Sequence, residues 1–254
     1  MIDIDEPTRR KLRQLRLSTF ADVFFDLLND DANADELPED IFFAAVDKAL
    51  DARRERNIIK AITHARFAYP QATIADVTDH EARGINDRQL KRLATTRWRE
   101  HPVNLHIFAP TGTGKTYIAC ALGVAACQSG HAVAYYRLDQ LVAELAVLEP
   151  TGSDYTAAMR KLINVDLLII DDFLTMSIDQ RGQEDLTKII IDRDGRLPTI
   201  ISSQSTAAYW VEILPNRIGA ESLVSRLNNG RRIQIGTHDI RKQLAEERIR
   251  DHSD

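Results

Sequence analysis

The chain has 254 residues, 44% hydrophobic and 28% charged, with a net charge of −5, which is the composition of a soluble globular protein of one or two domains. No stretch approaches 18 apolar residues and the opening MIDIDEPTRRKLRQL has no apolar signal core, so membrane spanning and export are not expected and a cytoplasmic location is. The two cysteines, Cys120 and Cys127, form no C-x-x-C pair, which fits a reducing compartment.

The charge is unevenly spread. Residues 1–51 hold 6 Lys/Arg against 13 Asp/Glu (−7), residues 52–99 hold 11 against 5 (+6), and the remainder holds 16 against 20 (−4). One basic block in an acidic chain points to local contact with a polyanion.

The first seventy residues read as helical. Leu12, Leu15, Phe20, Phe24, Phe25, Leu27 and Leu28 recur at helical spacing without strand-like alternation. After the acidic stretch Asn29 to Asp40, Pro38 with Glu39 and Asp40 opens a second helix. Its inner face is expected to carry Ile41, Phe42, Ala45, Val46, Ala49 and Leu50. Continued through RRERNIIKAITHARF, it places Arg53, Arg56, Lys60 and His64 in one basic stripe opposite Ile58, Ile59, Ile62 and Ala65. Tyr69-Pro70 is expected to break this helix, closing an all-α domain of residues 1–70.

Residues 71–85 read as a linker packed along the following domain (71–254), and residues 86–96 as a short basic helix. Strand-like runs then occur at 103–108, 132–136, 165–170, 198–202 and 231–235, with helical segments after each of the first four. Such alternation predicts an α/β domain with a mostly parallel sheet covered on both faces.

The segment after the first run, APTGTGKT (Ala109, Pro110, Thr111, Gly112, Thr113, Gly114, Lys115, Thr116), is a P-loop in its strand–loop–helix setting. Its glycines let backbone N–H groups converge on a phosphate chain at a helix N-terminus. Lys115 is placed to reach the β- and γ-phosphates and Thr116 to ligate Mg²⁺, so ATP and Mg²⁺ are the expected ligands. Ala109 stands where the motif has its first glycine; we read this position as requiring small size, not positive φ.

VDLLIIDD (165–172) delivers two carboxylates at a strand end: Asp171 for the metal shell and Asp172, one methylene shorter than Glu, as general base. Gln204, closing TIISSQ, is placed to reach between the γ-phosphate and these carboxylates. Arg226 and Arg241 are the candidate cations for transition-state charge.

Taken in order and spacing, APTGTGKT, YIACALG, YYRLDQL, LLIIDD, DRDGRLPTIISSQ and the Arg226 segment resemble the IstB-like ATP-binding proteins. These are helper ATPases of bacterial insertion sequences, similar to the DnaC helicase loader within the AAA+ superfamily. The upstream LDARRERNIIKAITHARFAYPQATIADV is also similar, so the resemblance covers roughly residues 8–245.

It implies a P-loop AAA+ core of strand order 5-1-4-3-2, ATP-dependent homo-oligomerisation on double-stranded DNA, and a cognate transposase as partner. By motif position, Lys115 and Thr116 match Walker A, Asp171 and Asp172 Walker B, and Gln204 sensor 1. Arg226 matches the trans-acting finger and Arg241 the sensor-2 arginine, although Ser225 replaces an Asp common in relatives and the segment before Arg241 is one residue longer. Arg53, Arg56 and Lys60 are then the candidate DNA-backbone contacts. The alternative within the same class is a replicative helicase loader. A small-metabolite P-loop kinase leaves the basic helical region unexplained, and the short Asp172 keeps open a non-hydrolysing, nucleotide-gated DNA scaffold.

Overall fold

The computed structural model describes residues 5–78, 81, 83–95, 100, 102–228 and 230–236. The chain forms two compact units, residues 1–60 and 61–254, so the division falls earlier than the expected boundary at residue 70.

The first unit is helical: α1 (Glu6–Gln14), α2 (Ser18–Leu28), a single 3-10 turn (Asp31–Asn33) and most of α3 (Pro38–Ala65). The Asp5 side chain caps α1 by accepting from the Thr8 amide at 3.1 Å. Phe20, Phe24 and Phe42 pack as an aromatic cluster with centroids 5.3–6.1 Å apart. Among its described residues only Ala21, Ile41 and Ala45 are buried apolar side chains.

Two expectations are corrected here. Phe42 and Leu50 of the anticipated inner face are 44% and 55% exposed, and Ile59 is 63% exposed. So few helices cannot cover both sides of α3, which leaves apolar positions open to water. α3 also ends before Tyr69-Pro70: Ala65 is its last residue, and Arg66 follows at φ 59, the left-handed conformation that terminates helices.

The second unit is built on β1 (Leu105–Phe108), β2 (Val133–Arg137), β3 (Leu167–Asp171), β4 (Thr199–Ser203) and β5 (Arg231–Gln234). They lie in the order 5-1-4-3-2, every neighbour parallel. β3 is buried along its whole length, as a central strand between two helical layers must be. One face carries α5 (Lys115–Gln128), α4 (Asp87–Ala94) and the linker, whose Ala72, Val77 and Ile85 are buried in that core. The other face carries α6 (Leu138–Ala146), α7 (Ser153–Asn164), α8 (Gln180–Arg193), α9 (Ala207–Ile213) and α10 (Arg217–Asn228).

α5 lies close on the sheet because its packed positions are small. A Cβ at Gly123 would stand 2.8 Å from Ile169 Cδ1 and closer still to Phe67. Cys120 and Cys127 are buried free thiols, and burial pushes each up to about 11, so they pack as small apolar groups. On the opposite face Arg193, 1% exposed, joins α7 to the start of β4. Its guanidinium donates to the carbonyls of Leu162, Ile163, Val165 and Pro198 and to Thr199 Oγ1 at 2.6–3.2 Å.

Candidate active site

The P-loop joins β1 to α5. Gly112 and Gly114 sit at φ 86 and 89, where glycine carries no steric penalty. Ala109 is outside the positive-φ set and fully buried, with its amide donating to Ser203 O at 3.2 Å. Small size is therefore what this position requires. Thr113 Oγ1 and Lys115 Nζ both donate to Pro110 O, at 2.9 and 2.8 Å. Lys115 is 7% exposed. At the start of α5 the first amides have no carbonyl four residues earlier in the helix, which is the ready-made anion site of a helix N-terminus.

β3 brings the two carboxylates to the same end of the sheet. Asp171 is 1% exposed; its Oδ2 accepts from Tyr135 OH at 2.9 Å, while Oδ1 is buried without a hydrogen-bond partner. Asp172 turns the chain at φ 49, held by Phe173 N donating to Ser202 O at 2.8 Å and Ser203 Oγ donating to Phe173 O at 2.8 Å. Burial and then the Asp171 charge raise the Asp172 carboxyl above the usual carboxylate range, against the opposing pull of Arg137 and Lys115. Arg137, the last residue of β2, lies with Nε 3.6 Å from Asp172 Oδ2 and Nη2 3.3 Å from Asp139.

Gln204 follows β4 and connects the two halves of the site. Its Oε1 accepts from Thr111 Oγ1 of the P-loop, and its Nε2 donates to Thr175 Oγ1 beyond the carboxylates at 3.4 Å. The ends of β1, β3 and β4 thus meet, and a cavity of ≈ 430 Å³ opens over Thr111, Gly112, Gly114, Lys115, Thr116 and Asp172. Its far wall belongs to the linker and to α5: Tyr69 and Tyr117 pack at 5.7 Å, and Tyr117 OH donates to Asp76 Oδ2 at 3.1 Å.

The oxygen donors suit a hard cation. Thr116 lies at the cavity and the unpartnered Asp171 Oδ1 is an acceptor that a divalent ion or its water would satisfy. Among the described residues no group of three or more His, Cys, Asp or Glu gathers as a metal cage.

Arg226 is not brought to this cavity. It lies in the last turn of α10; its carbonyl accepts from Asn104 Nδ2 at 3.4 Å and its Nη1 pairs with Asp194 at 3.0 Å. Asn104 precedes β1 and the P-loop follows it, so Arg226 stands at the opposite end of the sheet from Lys115. Arg241 lies outside the described residues. Arg53, Arg56 and Lys60 belong to the first unit, where all three are exposed and border one surface hollow of ≈ 410 Å³. Arg56 also donates to Thr19 Oγ1 at 2.8 Å.

Sequence reasoning missed Tyr135, Arg137 and Arg83. The first two stand near the C-terminal end of a predicted strand, the position at which ligands of open sheets bind, and that placement was a usable signal. Arg83 reaches the P-loop from thirty residues upstream, donating to Thr113 O at 2.9 Å, and nothing local marks it.

Comparison with known proteins agrees with this geometry. The model of the family described as "IstB-like ATP binding protein" matches residues 10–247. The chain is 31% identical over 237 residues to an insertion sequence ATP-binding protein of Sinorhizobium fredii, covering 93% of this chain and 96% of the relative. It is 30% identical over 197 residues to the ATP-binding protein of insertion sequence IS1162 from Pseudomonas fluorescens, covering 78% and 85%.

Among solved structures, DnaA from Aquifex aeolicus bound to AMPPCP superposes with TM-score 0.54 at 20% identity, over 72% of this chain and 56% of that one. The DnaC helicase loader gives TM-score 0.52 at 18% identity, over 66% and 98%. These likenesses show the fold, a P-loop α/β core with a parallel five-stranded sheet. With the family match running through both units, the chain belongs to the IstB-like ATP-binding proteins.

Proposed function

We propose that this protein is a Mg²⁺-dependent ATPase of the cytoplasm that assembles as a homo-oligomer on double-stranded DNA and regulates a partner transposase. The observation that carries the reading is a cavity lined by Lys115, Asp172 and the linker at the end of the sheet where Gln204 bonds the P-loop and Asp171 precedes Asp172. The N-terminus of α5 and Lys115 receive the phosphate chain of ATP. Thr116 and Asp171 hold Mg²⁺, which neutralises charge on the phosphate oxygens when bound. Asp172 accepts the proton of the attacking water, and Gln204 orients the terminal phosphate between Thr111 and the carboxylates. Asp172 is shorter than Glu, but its backbone turn is fixed by two hydrogen bonds, which supports a hydrolytic site over a purely nucleotide-gated scaffold.

Arg226, remote from its own P-loop, is assigned to a neighbouring protomer's site, where an arginine accelerates phosphoryl transfer. Arg53, Arg56 and Lys60 are assigned to phosphates of duplex DNA, with Arg241 as a further cation of the nucleotide site. A transposase is favoured over a replicative helicase as partner because the relatives matched along both units are insertion sequence proteins. Negative-stain imaging with duplex DNA tests the reading: a ring or spiral that requires both ATP and DNA is expected. Monomers under all conditions would overturn it. Retention of a transposase, but not a replicative helicase, on the DNA-bound protein tests the choice of partner.

A further inference from the structure

We propose that Arg83 is a positioning residue of the nucleotide site, one that sets the P-loop in its phosphate-binding shape before nucleotide arrives. The proposal rests on the P-loop reading above and adds to it a residue from outside the motif. Arg83 is 4% exposed and belongs to the linker, not to the loop it serves. Its Nη2 donates to Thr113 O at 2.9 Å and its Nη1 to Thr78 O at 3.1 Å, so one planar guanidinium ties the linker to the loop at two points.

The bond to Thr113 fixes more than a carbonyl. The described chain has no cis peptide, and in a trans peptide the C=O and the following N–H point in opposite directions. Holding Thr113 O toward the linker therefore turns the Gly114 N–H away from it, free for a phosphate oxygen. That amide immediately precedes Lys115 at the start of α5, where anion-binding amides gather.

Gly114 is shaped for this arrangement twice over. Its φ of 89 suits glycine, and a Cβ there would stand 2.7 Å from Arg83 Nη2. The guanidinium lies in the space that any other residue would fill.

The linker has a firm base from which to hold the loop. Gly236 N donates to Arg83 O at 2.7 Å just past β5, and from α4, which follows the linker directly, Gln89 Nε2 donates to Arg232 O at 3.0 Å within β5. Ile235 N in turn donates to Phe108 O at 3.0 Å, the residue before the P-loop begins. Arg83 thus closes a circuit from β1 to β5, through the linker, and back to the loop. Preorganisation of this kind improves affinity by removing ordering from the binding step.

The test uses the full chain and ADP, which shares the β-phosphate cradle with ATP and is not consumed. Calorimetric ADP affinity and thermal unfolding without nucleotide are measured for the wild type, Arg83→Gln, Arg83→Lys and, as a charge control, the exposed Arg92→Gln. Arg83→Gln is expected to weaken ADP binding by roughly tenfold or more, as for loss of a charge-assisted hydrogen bond, and to raise KM for ATP far more than it lowers kcat. Arg83→Lys should recover only part of the affinity, and Arg92→Gln should bind as the wild type does.

Wild-type ADP affinity in Arg83→Gln overturns the proposal, as does full recovery in Arg83→Lys, which would leave charge alone as the cause. A lower unfolding temperature with unchanged ADP affinity also overturns it, by reducing Arg83 to a packing role. If Arg83→Gln does not fold, Arg83→Lys carries the test on the same affinity criterion. Failure of the wild type itself to bind ADP would be a different result, striking at the P-loop reading beneath.

Discussion

Replacing Asp172 by Asn isolates the chemical step from everything that supports it. The residue sits at φ 49, and Asn is among the few non-glycine residues that accept this conformation, whereas Ala would add strain of about 1–2 kcal/mol. The pair with Arg137 is 3.6 Å long and its Asp172 side chain is 38% exposed, so losing it should cost less than about 1 kcal/mol of stability. Asn also relieves the repulsion from Asp171 that raises the Asp172 carboxyl. The fold and ATP binding should survive, and turnover should fall on the order of 10²-fold or more, since the amide cannot take a proton.

In the wild type the raised carboxyl has a second consequence. Turnover requires the ionised form, so the acid limb of the pH–rate profile should lie above the usual Asp range and vanish in Asp172→Asn. For stability the sign is opposite: a carboxyl raised by folding favours the native state at low pH, and that contribution is lost as pH rises through the folded value. The assay is kcat/KM for phosphate release, which reports the groups of the free protein, from about pH 3 to about pH 8 so that the scan begins below the ordinary Asp value of about 3.9, with ATP affinity measured in parallel. An unchanged steady-state rate, or an unshifted acid limb, would refute the assignment of Asp172 as base.

Three further outcomes follow from other parts of the molecule. Arg226→Ala should lose turnover although its own P-loop is intact, and mixing it with Lys115→Ala subunits should restore part of it; no rescue in confirmed mixed assemblies would contradict a role in trans. Replacing Arg53, Arg56 and Lys60 together with Gln should weaken duplex binding irrespective of sequence and flatten the slope of log affinity against log salt by roughly two to three, read by fluorescence anisotropy, with DNA-free ATPase unchanged. Arg193→Met should cost about 3 kcal/mol or more in urea unfolding, because several buried carbonyls lose their donor; a loss below about 1 kcal/mol would mean these carbonyls find other partners.

The sheet was legible because β1 to β4 are short, largely apolar runs closed by a functional or turn residue, whereas β5 keeps a single buried residue, Ile233; all five strands lie within a few residues of the expected bounds. The P-loop and the Asp171-Asp172 pair were legible because their chemistry is local to a strand end. The wall of the cavity was not. Arg83, Tyr135 and Arg137 reach the site from other elements, and only the parallel register that sets Arg137 beside Asp171 brings the end of β2 to that of β3. Burial in the first unit was misread for a different reason: helical spacing shows which residues share a face, but not whether another layer covers it. Phe42, Leu50 and Ile59 keep the spacing and remain exposed. The end of α3 escaped because Arg66 adopts φ 59 without glycine, leaving Tyr69-Pro70 as the more visible but later breaker.

The proposed ATPase site joins Lys115 and the P-loop to Asp171 and Asp172. Its most direct test is Mg²⁺-dependent phosphate release by the purified protein with and without duplex DNA, compared with Lys115→Ala checked for an intact fold by circular dichroism. Removing the ammonium that lies over the loop at Pro110 should weaken ATP binding and abolish turnover while leaving the spectrum unchanged. Turnover in Lys115→Ala equal to the wild type, or wild-type ATP affinity in that variant, would contradict the account.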